Sequence, residues 1–264
     1  MTTTLTPDSI RYLNPNPPSP FHLRPLLPAL CGTVAWRWHT ATYVGIGLTL
    51  VATWALVGGW RGVAAALILA ALPSVRFNAT HPVLVDAAAL GLATTSAALW
   101  VHGYPLPALT IAALAAATKE TAPIFAALFA WTPVLLLALL IPAAIASLRT
   151  PGSRDPLGDE HHAWVLAHPI QASRKYHHRF LADANPTLFT PWGGAITAIA
   201  APSLQLAATL AAGYTQLAFA TDTVRLYQWA APVVCIAATT AVDPRWWPLL
   251  ILTTLFNPMR GDGV

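Results

Sequence analysis

The chain has 264 residues, of which 56% are hydrophobic and 9% charged, with 24 Pro, 11 Trp and a mean hydropathy of +0.56. So few charges among so many apolar side chains exclude an ordinary soluble domain and a disordered chain, and predict a polytopic membrane protein built as a single all-α membrane domain over residues 1–264. The net charge of +4 does not point to nucleic acid, because the basic residues lie in loops beside apolar segments.

In chain order, residues 1–25 come first and form an external N-terminal loop. They lack a basic stretch followed by an apolar core, so they are not a signal peptide. The run NPNPPSPFHLRPLLP is read as extended with turns. Eight apolar segments follow, at about 41–58, 62–74, 83–101, 105–117, 122–147, 193–213, 226–242 and 246–257. They fall into a first helical group, 26–147, and a second, 193–264, on either side of the loop 148–192. A spanning helix needs ~20 apolar residues, so 62–74, 105–117 and 246–257 are short spans, half-spans or kinked helices. Frequent Ala, Gly and Thr let helices pack closely in lipid. Pro133 and Pro142 predict a kink or break in the fifth segment. Cys31 and Cys235 have apolar neighbours and no metal-site spacing, and read as buried small hydrophobes.

Orientation follows from Arg and Lys. Arg149, Arg154, Arg174, Lys175 and Arg179 make the 148–192 loop the most basic stretch, which puts it in the cytoplasm. If all eight segments cross, the N-terminal stretch, Arg76–His81, Lys119–Glu120 and Asp222–Arg225 fall outside. Trp60, Trp100, Trp192, Trp246 and Trp247 then form a belt at the inner interface. The expected location is a bacterial cytoplasmic membrane with the site on the extracytoplasmic side.

The outer face then collects Asp8, Arg11, Tyr12, His22, Arg24, His81, Asp86, Lys119, Glu120, Asp222 and Arg225. Ionisable groups are costly in a bilayer and mark function by default. Several cations at a membrane surface suit an anion, and a lipid-borne phosphate is the natural one there. Arg offers it a planar fork and Lys a compact charge.

These residues sit in stretches that resemble the GT-C-fold glycosyltransferases, polytopic enzymes that take sugar from a polyprenyl-phosphate donor. PDSIRYL and SPFHLRPLLP are similar to that family's first external loop. HPVLVDAAALGL is similar to its Pro–Asp opening of a membrane helix, AAATKETAPIFA to its Lys-containing helix junction, and TDTVRLYQWAAPVV to its acidic–Arg motif before a late helix. No transmembrane helix precedes Asp8, and the chain is short, so the resemblance is to a reduced member. It implies Asp8 as general base. It implies donor-phosphate contacts from Lys119, Arg225, Arg24 and Arg11. Glu120, Asp222, Tyr12, His22, His81 and Asp86 would contact sugar or acceptor or orient the others. The implied partners are a polyprenyl-phosphate-linked sugar, the bilayer, and a glycan or protein acceptor, with no nucleic acid. No cofactor is required; some family members use a divalent metal and others none, and no residue is assigned to a metal.

Each residue also has a plainer reading. Asp8 is equally a helix cap or a solvated side chain. Lys119–Glu120 is a snorkelling pair at a helix boundary. Asp222 and Arg225 are a local i,i+3 pair, and Asp86 begins a helix. His161, His162, His168, His177 and His178 match no zinc spacing and belong to a solvated loop. The alternative functions are a non-catalytic lipid-phosphate-binding membrane protein and, third, a small transporter. The latter fits less well, because the charges are at helix ends rather than mid-span.

Overall fold

The structure, a computed structural model, describes residues 7–14, 21–149, 167–168, 171, 190–216 and 227–257. Among these every regular element is a helix and no strand occurs, the all-α class expected. The chain divides into two compact units. One is Met1–Leu56 with Asn78–Asp155; the other is Val57–Phe77 with Pro156–Val264. The second apolar segment therefore belongs with the C-terminal half and not with the first helical group.

In the first unit, the expected loop 1–25 contains helical turns: α1 (Pro7–Tyr12) and a 3-10 turn at Phe21–Leu23. A short α2 (Leu26–Cys31) leads to α3 (Ala35–Val57), whose 23 residues make the longest described helix. At 1.5 Å per residue α3 is about 35 Å long. It is the one described helix long and apolar enough alone to cross a membrane.

α6 (Asp86–Val101) ends where Gly103 takes a left-handed conformation (φ 82°) and Tyr104 N–H returns to Leu99 C=O at 2.9 Å. That is a glycine-terminated helix end. Pro105 then opens α7 (Pro105–Thr118), which packs back on α6, and the Ser96 hydroxyl donates to Ala108 C=O at 2.8 Å. α7 stops because Lys119 is extended (φ −154°, ψ 125°), and α8 (Ala122–Ala130) starts after a two-residue bend. α3 meets α6 through glycines. A Cβ on Gly45 would lie 2.6 Å from the carbonyl carbon of Ala87, so no side chain fits at that crossing.

The fifth segment, read as 122–147, is not one helix. α8 ends at Trp131, whose left-handed conformation (φ 52°) breaks the axis. A 3-10 stretch at Pro133–Leu139 follows, then α9 (Leu140–Leu148). The break falls at Pro133 as expected. Pro142 causes none: it is the third residue of α9, close to the helix start, where a missing N–H costs little.

The second unit holds α4 (Gly59–Ala71) and most of α5 (Pro73–Thr80). It continues with a kinked 3-10 stretch (Thr190–Ala200), α10 (Leu204–Thr215), α11 (Ala231–Ala241) and α12 (Trp247–Leu255). The expected segment 193–213 is interrupted at Pro202. Ser203 restarts it as N-cap, its hydroxyl accepting from Leu206 N–H at 3.1 Å. Trp192 is buried edge-on against Tyr227, with ring centroids 5.7 Å apart, so it is no part of an exposed aromatic belt.

Candidate functional site

The N-terminal strap is fixed by aromatic packing and one arginine. Tyr12, the last residue of α1, is buried against Phe21 (centroids 5.0 Å, near-perpendicular) and Trp38 (6.2 Å). Arg24, itself buried, donates from Nη1 to the Tyr12 hydroxyl at 2.6 Å. It donates from Nε and Nη2 to the two carboxylate oxygens of Glu120, both at 2.7 Å. This is the bidentate fork geometry that makes Arg–carboxylate pairs strong. The Arg24 and Arg11 guanidiniums both lie 5.4 Å from the Phe21 ring centroid, within cation–π range.

Lys119 and Glu120 are neighbours in the bend between α7 and α8, yet they do not pair with each other. Lys119 is ion-paired with Asp86, the first residue of α6, which is wholly buried. Among the described residues two cations and two carboxylates thus pair at one end of α6, α7 and α8. The N-terminus of α6 contributes a partial positive charge beside Asp86. Burial pushes the Glu120 carboxyl up, but the Arg24 charge and hydrogen bonds, helped by Lys119, outweigh it and hold the pKa at about 2. Burial likewise opposes the Arg24 charge; Tyr12 and Glu120 overcome this and hold the guanidinium well above its usual value.

Of the residues singled out in the sequence, Tyr12, Arg24, Asp86, Lys119 and Glu120 come together as these two linked pairs. Arg11 joins through Phe21. His22, two residues before Arg24, is buried, and its backbone C=O accepts from Arg149 Nη1 at 3.4 Å. His81 is half-buried with its Nδ1 3.0 Å from the Thr80 hydroxyl, four residues short of the carboxylate cluster's helix. Asp8 is the second residue of α1, four before Tyr12. Asp222 and Arg225, and the loop histidines other than His168, lie outside the described residues. Glu120 holds Arg24, and Asp86 holds Lys119. Among the described residues no group of three metal-ligating side chains gathers.

Three contributors were missed in the sequence. Phe21 and Trp38 pack around Tyr12, and Arg149 reaches His22 from 127 residues away. The aromatic run AWRWH was the one available hint of Trp38; nothing local to Arg149 marks its contact. No protein-family model, curated protein or solved structure matches the chain.

Proposed function

We propose that the chain is a membrane glycosyltransferase of reduced GT-C kind, moving a sugar from a polyprenyl-phosphate donor to an acceptor hydroxyl at the membrane surface. The supporting observation is the Tyr12–Arg24–Glu120 link. It holds the N-terminal strap, and with it the backbone of α1, to the α7–α8 bend beside Lys119 and Asp86. A catalytic group on a free tail would be too loosely held, since small misplacements of a reacting group are costly in rate. The strap is not a free tail.

In this reading Asp8 takes the acceptor's hydroxyl proton as that oxygen bonds to the anomeric carbon. The bond from anomeric carbon to phosphate oxygen breaks in the same step, with inversion, and the phosphate departs with the electron pair. Cations stabilise the departing charge. Arg11, Arg24, Lys119 and Arg225 are the candidates for this part, and of these Arg24 and Lys119 also hold carboxylates. Arg24 becomes a positioning residue for the strap. A second reading, a lipid-phosphate-binding protein without turnover, draws on that same commitment of Arg24 and Lys119 to carboxylates.

The test is transfer from a panel of polyprenyl-phosphate sugars by the purified protein in lipid. Asp8→Asn should slow transfer by ~10²–10⁴-fold with lipid binding little changed. Near-normal transfer by this variant would remove Asp8 as base. Binding without transfer by the parent protein would favour the second reading.

A further inference from the structure

We infer that residues 122–148 form a re-entrant hairpin, dipping into one leaflet of a lipid bilayer and returning to the face it left. This rests on the membrane reading above but not on the glycosyltransferase reading. The first observation is where the two ends meet the rest of the unit. Glu120, just before the hairpin, is bound to Arg24, and Arg149, just after it, donates to His22 C=O. Both ends therefore grip the four-residue stretch 21–24, which even fully extended is at most ~14 Å long. A straight helix over 122–148 would carry its ends about 40 Å apart, beyond a hydrocarbon core of ~30 Å.

The second observation is the turn itself. In lipid, backbone donors must be satisfied inside the protein. Trp131 N–H bonds to Leu128 C=O at 3.3 Å and Thr132 N–H to Ala127 C=O at 2.9 Å. Residue 133 is proline and has no N–H, and Val134 N–H bonds to the Thr132 hydroxyl at 3.4 Å. Every backbone donor from Trp131 to Val134 is satisfied within the protein. The nine residues of α8 are about 13 Å long, half the hydrocarbon thickness. The return limb exposes Leu136, Leu137 and Leu140, with Trp131 at the tip. Those exposed side chains fit acyl chains, and the outer end carries Arg149, which suits the headgroup level.

The consequence is that the carboxylate cluster and the start of the 148–192 loop face the same compartment. The charge-based topology put them on opposite sides, because it required 122–147 to cross.

The test uses single-cysteine variants, Asn14→Cys and Ser147→Cys, in a background carrying Cys31→Ala and Cys235→Ala. Each is reacted with a membrane-impermeant maleimide in right-side-out and inverted vesicles. Ile10→Cys and Ala146→Cys, also exposed positions, serve as a second pair should a substitution in the first prevent folding. Both sites of a pair should react in the same vesicle orientation. Reaction in opposite orientations would overturn the hairpin while leaving membrane insertion intact. Reaction of every site in both orientations would overturn insertion itself. None of these outcomes depends on sugar transfer.

Discussion

Asp86 and Lys119 leave water together, and each offsets the other's charge in the interior. Removing one partner of a buried pair strands a charge and costs about 3–5 kcal/mol, whereas replacing both by apolar groups is often neutral. Lys119→Met should therefore lower stability by that amount, and Asp86→Leu combined with Lys119→Met should recover most of it. Thermal unfolding in detergent measures both, and a double variant as unstable as the single one would show that the pair is not the cause. Glu120 gives a pH signature. Its carboxyl titrates at about 2 in the fold against a usual 4.5, so the unfolded state binds its proton first as pH falls. The contribution of the Arg24 link is whole above pH 4.5 and is lost progressively down to about pH 2. Chemical denaturation followed through Trp38, packed on Tyr12, should show this loss of stability over that window, and Glu120→Gln should abolish its pH dependence. The residue types of the cluster were legible because charge is so scarce in this chain. Their partners were not: the two ion pairs join positions 96 and 33 residues apart, and nothing local to any of the four residues marks its partner.

At the scale of elements, apolar runs located α6, α7 and α12 to within three residues and α3 and α11 to within six, because each is bounded by Gly, Pro or charge. A break was expected in 122–147 at Pro133 but none in 193–213, and the apolar runs themselves marked neither. Apolarity reports burial or lipid contact, and it is blind to a left-handed Trp131 or to a Pro202 that breaks the axis within an unbroken hydrophobic stretch. The helix in the strap was not expected because residues 1–25 were read as a loop from the Pro-rich run that begins at Asn14, although Pro7, at the first position of α1, has a fixed φ that suits a helix start. The α3–α6 crossing permits a sharper test. Gly45 and Gly91 face each other with backbone in reach, while a Cβ on Gly47, in the same helix as Gly45, would meet nothing within 4 Å. Gly91→Val should force the helices apart and cost about 1–3 kcal/mol or more. Gly47→Ala should be neutral or stabilising by up to about 1 kcal/mol, since alanine is the better helix former. Thermal stability of the two variants side by side decides it; equal losses would mean that the crossing is not tight.

At the scale of the molecule, each compact unit is discontinuous in sequence: residues 57–77 interrupt the first and belong to the second. The Arg24–Glu120 link has a consequence in time. Tyr12 and Arg24 are added to the chain 96 residues or more before Glu120. At a synthesis rate of about 5–20 residues per second, that delay is roughly 5–20 s. Throughout it the guanidinium has no carboxylate to hold and stays in water or among lipid headgroups. The strap is thus the first part of its unit to be made and among the last to be locked. A nascent chain halted before residue 120 should leave it open to protease, and a chain carried past that point should close it.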